Sequence, residues 1–316
     1  MKTALIFGVS GQDGSYLSEF LLAKGYKIWG TTRNLKDYNF KNLDYLNIKN
    51  KINLLQVDPN IYEDIFSALE KSRAEEVYFL TGQSSVGKSF TLPSSSIIDN
   101  PLGVLNLLEA SKNIDYDLKL FFSGSGQCYG DTIKDKAIEG LNFNPVSPYA
   151  IGKVTQFWTI KYYRDTYNHF ACTGILFNHE SPLRPDTFVT KKIINSVHRI
   201  ALGSKEKLIL GRIDIRRDWG WAPDYVEAMW LMLQQKNPDD YIIATGNNYT
   251  LEEFVKEAFL YKKLNWKDHV KLDNKFIHKS DILVNCANPK KINESLNWKA
   301  KYNMHDIVKM MLDATK

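Results

Sequence analysis

Short apolar runs alternate along the chain with stretches whose apolar residues recur at helical spacing, and this alternation predicts a parallel sheet covered by helices on both faces. The first run, residues 3–7, leads into a helix over 14–24, in which Tyr16, Leu17, Phe20 and Leu21 share one face. Further strands are expected at 27–31, 53–56, 76–80, 119–123 and 171–177, and helices at 102–111 and 149–166. After Pro182 the pattern breaks into shorter elements rich in charge and aromatics, with late helices at 251–261 and 305–314. The expected architecture is a doubly wound α/β domain over 1–178, with returning segments near 212–246. A smaller α/β cap from 179–211 and 247–316 is interleaved with it.

Composition narrows the possible functions only a little. With 316 residues, 44% of them hydrophobic and 24% charged, the chain can bury a sizeable core. Its net charge of +5 is scattered through pairs such as Lys262-Lys263 and Lys290-Lys291, and without a block of like charges nucleic acid is not an expected partner. No apolar run approaches the roughly 20 residues of a membrane span, so no membrane partner is expected and a cytoplasmic protein is. Cys128, Cys172 and Cys286 are odd in number and lack metal-ligand spacing. They read as free thiols of a reducing compartment, and no metal site is expected.

Two motifs carry chemistry. Gly8, Gly11 and Gly14 form GVSGQDG directly after the first strand. Glycines there allow a tight turn and let backbone N–H groups approach a pyrophosphate at the positive end of the next helix, as in a Rossmann nucleotide site. Tyr149 and Lys153 form YAIGK at a helix start, one turn apart on one face. An ammonium near a phenol favours its ionised form, which makes a base for an alcohol proton.

With these motifs, the segments GVSGQDGSYLSEFLLAKGY, VSPYAIGK, GILFNHESP, TFVTKKI, RDWGWAPDYV, LMLQQ and IATG resemble the extended short-chain dehydrogenase/reductases, and within them the GDP-mannose 4,6-dehydratase family. The resemblance covers nearly the whole chain. It implies that Tyr149 is the base, Lys153 its activator and Ser125 the hydroxyl that holds the reacting sugar oxygen. It implies cofactor contacts at Gly8, Gly11, Gln12, Asp13, Gly14 and Arg33, at Asp58 beside adenine, at Leu80, Gln83 and Ser84 beneath the nicotinamide ribose, at Tyr149 and Lys153 themselves, and at His179 and Arg184. It places Ser85, Asn178, Lys192 and Arg217 against a GDP-sugar. Taken singly, His179 reads equally as a core histidine, Arg217-Asp218 as a structural ion pair, Lys192 as a solvated charge and Asn178 as a turn former. Trp219 and Trp221 read as packing residues.

Three departures from the family pattern change the expected chemistry. GSGQ over residues 124–127 stands where the family has STSE, so Gln127 occupies the position of a catalytic glutamate. An amide cannot remove the C5 proton, and loss of a general base typically costs about 10²- to 10⁴-fold. Glu139 and Glu180 are the substitutes to be considered. After the second strand, TTRNLKDYN keeps Arg33 but offers neutral Asn34 in place of a second arginine, which favours NAD, with NADP possible. Finally, His278-Lys279 replace an Arg-Pro pair near the nucleotide sugar.

The expected activity is NAD-dependent oxidation at C4 of GDP-mannose or a GDP-manno-heptose, without dehydration, for surface-polysaccharide sugars. A second keto substrate is a possible reoxidant of the cofactor. The alternatives are a true 4,6-dehydratase with a relocated base and a non-catalytic dinucleotide sensor. A homodimer or homotetramer is expected, from the helices at 102–111 and 149–166 and the loop 33–45.

Overall fold

The computed structural model describes residues 1–36, 40–277 and 281–315. Six strands in chain order, β1 (Thr3–Phe7), β2 (Lys27–Thr32), β3 (Ile52–Gln56), β4 (Glu76–Phe79), β5 (Lys119–Ser125) and β6 (Phe170–Leu176), join an edge strand, Tyr241–Ile243. All are parallel, in the order β3-β2-β1-β4-β5-β6-edge. The order reverses between β1 and β4, and that reversal opens a crevice at the strands' carboxyl ends.

The continuous apolar run of β1 follows from its burial on both faces. Ala4 and Ile6 pack with Leu17 and Leu21 of helix α1 (Gln12–Ala23) and with Met229 and Met232 of helix Ala222–Leu233. Leu5 and Phe7 face the opposite layer, which includes Ile65 and Leu69 of helix Tyr62–Ser72 and Leu107 and Leu108 of helix Asn100–Ser111. Each fully buried aliphatic side chain there contributes about 2 kcal/mol.

A separate apolar cluster lies beyond the sheet. Ile193, Ile194 and Val197 of helix Val189–Ala201 meet Phe254 and Phe259 of helix Leu251–Tyr261 and Ile307 and Met311 of helix Met304–Asp313. Thr250 and Glu253 form a reciprocal capping box that fixes where the helix Leu251–Tyr261 begins.

The predicted elements recur with shifted ends. β5 runs on to Ser125 because Gly124 and Ser125 pair with Ile175 and Leu176. A β carbon on Gly124 would lie 2.8 Å from the Thr173 methyl, so the missing side chain permits this close strand approach. Helices Tyr62–Ser72, Val189–Ala201 and Ala222–Leu233 and the edge strand Tyr241–Ile243 were not among the expected elements.

Candidate active site

The crevice holds a cavity of about 570 Å³ running from the β1–α1 turn to the end of β5. At the turn, Gly8 has φ +84°, and a β carbon there would lie 3.0 Å from the Thr81 nitrogen. A β carbon on Gly14 would lie 2.2 Å from the Gly8 carbonyl oxygen. Glycine is therefore required for the turn to close, while Gly11 opens α1 with its N-terminus on the cavity. That arrangement fits a dinucleotide pyrophosphate.

Gln12, Asp13 and His179 form one hydrogen-bonded group beside the turn. His179 Nε2 lies 2.9 Å from an Asp13 carboxylate oxygen and its Nδ1 2.7 Å from the Phe177 carbonyl, and the ring stacks on Tyr225. Gln12 donates to the His179 carbonyl and accepts from Ser181. Burial opposes charge on both members of the Asp13–His179 pair. Their mutual attraction prevails, so His179 is held above the usual imidazole range and Asp13 below the carboxylate range. The pair is thus charged where Asp13 has lost its proton and His179 has kept one.

A pH-dependent stability follows from those directions. The pair's contribution is full between pH 3.8 and 6.5, the unshifted values. It is lost on the acid side as pH falls through the depressed Asp13 value and on the alkaline side as pH rises through the raised His179 value. Asp13→Asn is expected to cost about 2 kcal/mol near pH 5, discounted because the cavity leaves a fifth of the Asp13 side chain exposed. The loss should be smaller at pH 9. Equal losses of thermal midpoint at the two pH values would contradict the ion pair.

The reacting end is built from β5 and the helix Pro148–Tyr167. Ser147 accepts a hydrogen bond from the Ala150 N–H and Pro148 opens the helix, which fixes Tyr149 and Lys153 one turn apart. Tyr149 lies beside Ser125 on the cavity lining, both of them buried. Here the structure corrects the expectation of a lowered phenol. Burial pushes Tyr149 up to about 12, against the Ser125 hydrogen bond and the Arg184 charge that pull it down. Lys153 donates instead to the Ser123 carbonyl at 2.6 Å, and burial pulls its ammonium down to about 8. Cys128, pushed up to about 12 by burial, remains a neutral thiol.

Gln127 sits on a short turn, Gly126–Tyr129, immediately after Ser125, and lines the same cavity. Its backbone N–H donates to the Ser125 hydroxyl at 3.2 Å. Neither substitute carboxylate is available there. Glu139 accepts from the Ile242 N–H and lines a different cavity, of about 650 Å³. Glu180 borders the catalytic cavity but is buried, accepting from the Thr190 hydroxyl at 2.6 Å and paired with Arg184 at 3.1 Å.

Leu80, Gln83, Ser84, Ser85, Asn178, Arg184 and Arg217 also line the cavity. Gln83 is locked by its amide donating to the Ser85 carbonyl and accepting from the Ser85 N–H. Arg184 lies over the Phe188 ring. Arg217 is pulled down to about 10 by burial and donates to the Ile282 carbonyl at 2.8 Å.

Three expected contacts lie outside the lining. Arg33 is exposed just past β2. Asp58 follows β3 and accepts from the Asn60 N–H. Lys192 donates to the Ile209 carbonyl and sits over the Phe276 ring. The cavity does not reach the ends of β2 and β3, and the Lys192 ammonium is held at the cap strand Leu208–Leu210. Trp219 packs on Phe254 in the cap core, and Trp221 lies edge-on to Tyr302. His278 and Lys279, like residues 37–39, fall outside the described residues.

Phe188, Thr190 and Ser123 also border the cavity, and nothing in the sequence singled them out. Only the TFVTKKI resemblance passed over the first two. Among the described residues no cluster of His, Cys, Asp or Glu could hold a metal, and no helix is long and apolar enough to cross a membrane.

A glycine turn at the switch point, with Ser, Tyr and Lys converging on one crevice under a small cap, defines an extended short-chain dehydrogenase/reductase. The family profile described as GDP-mannose 4,6 dehydratase matches residues 5–311. GDP-mannose 4,6 dehydratase 1 of Arabidopsis thaliana is 42% identical over 99% of this chain and 89% of its own length. The human GDP-mannose 4,6 dehydratase is 36% identical over 99% and 91%. A dTDP-glucose 4,6-dehydratase from Bacillus anthracis, solved with NAD, superimposes with a TM-score of 0.86 at 18% identity over 99% of this chain and 96% of its own, a likeness of fold. The chain belongs to the GDP-mannose 4,6-dehydratase family.

Proposed function

We propose that this protein oxidises the C4 hydroxyl of a GDP-manno-configured sugar, GDP-mannose or a GDP-manno-heptose, and releases the 4-keto sugar nucleotide with its C6 oxygen in place. The observation that carries this reading is Gln127 in the catalytic cavity, with Glu180 and Glu139 both engaged elsewhere. The residues around the β1–α1 turn would hold NAD, or less favourably NADP, which supplies a hydride acceptor when bound. Tyr149 takes the C4 hydroxyl proton, Ser125 holds the oxygen as it becomes a carbonyl, and Lys153 supplies positive charge behind the base. Arg217 and Asn178 hold the diphosphate side, and the division between sheet and cap separates dinucleotide from sugar nucleotide. Since the hydride is not returned, turnover requires cofactor exchange or a second keto substrate.

The second reading is a 4,6-dehydratase. The names of the relatives favour it, and on the comparisons alone it is the better supported. The amide at position 127 is the argument against it, because removal of a proton from C5 needs a base. A dinucleotide sensor would have no use for Ser125, Tyr149 and Lys153 on one cavity. The test is incubation with NAD and each GDP-sugar, followed by mass spectrometry of the product and absorbance of reduced cofactor. A product lighter than the 4-keto sugar by one oxygen atom, formed without net cofactor reduction, would overturn the first reading.

A homo-oligomer forms part of the proposal. Helices Asn100–Ser111 and Pro148–Tyr167 pack side by side and expose Leu105, Ile151, Trp158 and Tyr162. Covering this apolar face with a second copy removes it from water. Light scattering at micromolar concentration is expected to give at least a dimer, and a monomer would contradict the assignment.

A further inference from the structure

We infer that Asn285 is a positioning residue that fixes the turn bearing Gln127 and ties it to the arginine assigned to the diphosphate. The inference rests on the proposed role of Arg217.

Asn285 belongs to a two-residue strand, Val284–Asn285, paired in parallel with Arg216–Arg217, so that it stands opposite Arg217. Its side chain leaves that ladder and enters the interior, where the residue is only 1% exposed. There its amide donates to the Gly126 carbonyl at 3.0 Å and to the Gly130 carbonyl at 3.1 Å. Those two carbonyls bracket the turn Gly126–Tyr129 that carries Gln127. One planar carboxamide therefore sets the spacing of the turn's two ends, with both N–H donors satisfied in a buried place where an unmade bond would be costly.

The same segment is bonded in both directions. Towards the catalytic loop, the Leu283 N–H donates to Asp131, the Thr132 N–H donates to the Val284 carbonyl, and the Cys286 N–H donates to the Thr132 hydroxyl. Towards the nucleotide side, the Arg217 guanidinium donates to the Ile282 carbonyl, and the Asp218 N–H lies 3.3 Å from the Asn285 carbonyl. Arg217 and the Gln127 turn are thus joined through one short strand whose Asn285 is buried. A diphosphate that orders Arg217 orders the turn with it.

Two experiments test this. Hydrogen–deuterium exchange on the wild-type protein with GDP alone needs no variant. It should slow exchange at residues 216–219 and also at 126–130. Protection at 216–219 without protection at 126–130 overturns the inference. Protection at neither overturns the reading of Arg217 and the inference with it.

The second experiment uses Asn285→Ala and Asn285→Leu, the latter filling the slot without donors, assayed with NAD and GDP-mannose. The Gln127 N–H on this turn donates to the Ser125 hydroxyl that holds the C4 oxygen, and misplacement of a reacting group by about 1 Å can cost on the order of 10²-fold, so kcat for C4 oxidation should fall about tenfold or more while KM stays within about threefold. A role in stability alone would lower the thermal midpoint and leave kcat per folded molecule unchanged, and that result overturns the proposal. Should both variants fail to fold, the exchange result on the wild type decides.

Discussion

Tyr149→Phe is expected to bind cofactor as the wild type does and to oxidise GDP-mannose about 10²- to 10⁴-fold more slowly, the usual cost of losing a general base. The substitution removes one oxygen from a buried ring and leaves the shape of the helix start, capped by Ser147, unchanged. The cofactor turn around Gly8 and Gly14 makes no use of the phenol, so binding and chemistry should separate. Fluorescence titration with NAD measures the first and absorbance of reduced cofactor the second. The structure adds a reason for a large effect. Burial holds the phenol at about 12, and of the two candidate carboxylates Glu139 is bonded to the Ile242 N–H and Glu180 to Thr190 and Arg184, so neither is placed to replace it. A near wild-type rate for the variant would remove Tyr149 from the mechanism.

The parts of this site that were legible in the sequence are those set by local geometry. The glycine turn is written in residues 8–14, and the Tyr149–Lys153 spacing is one helical turn. Both survive in the structure because backbone sterics alone demand them. Helix Val189–Ala201 also carries a local stripe, Ile193, Ile194, Val197 and Ile200. That stripe recurs at helical spacing and is legible in the sequence, although the expected elements do not include it. The edge strand Tyr241–Ile243 is three residues long, too short for any period to show, and exists because β6 offers it an edge.

What could not be read depends on distant packing. The phenol was expected to be lowered by Lys153, yet burial dominates, and the lysine turns to the Ser123 carbonyl. Asn285 lies 159 residues from Gly126, and no spacing rule links them.

Gln127→Glu carries the second large effect: the variant should release some product that has lost water from C5 and C6, which the wild type should not. The replacement restores a carboxylate of nearly the same shape on a turn already aimed into the cavity beside Ser125. Gln127 is half-buried, so the new carboxylate has contact with the cavity's water and can ionise to act as a base. The gain should be partial, because the surrounding backbone is fitted to small residues. A β carbon on Gly126 would lie 2.8 Å from the Phe177 ring, and one on Gly124 equally close to the Thr173 methyl. Adding serine at both glycines should therefore cost about 1–3 kcal/mol by overpacking, and it would displace the new carboxylate. The single substitution should outperform the triple one, Gly124→Ser with Gly126→Ser and Gln127→Glu, in water loss per turnover. Asn285 must stay in place for either to work, since it holds both ends of the turn. Mass spectrometry of the sugar nucleotide decides the matter. A wild-type protein that already releases the dehydrated sugar would show that the proton leaves C5 without a carboxylate at 127.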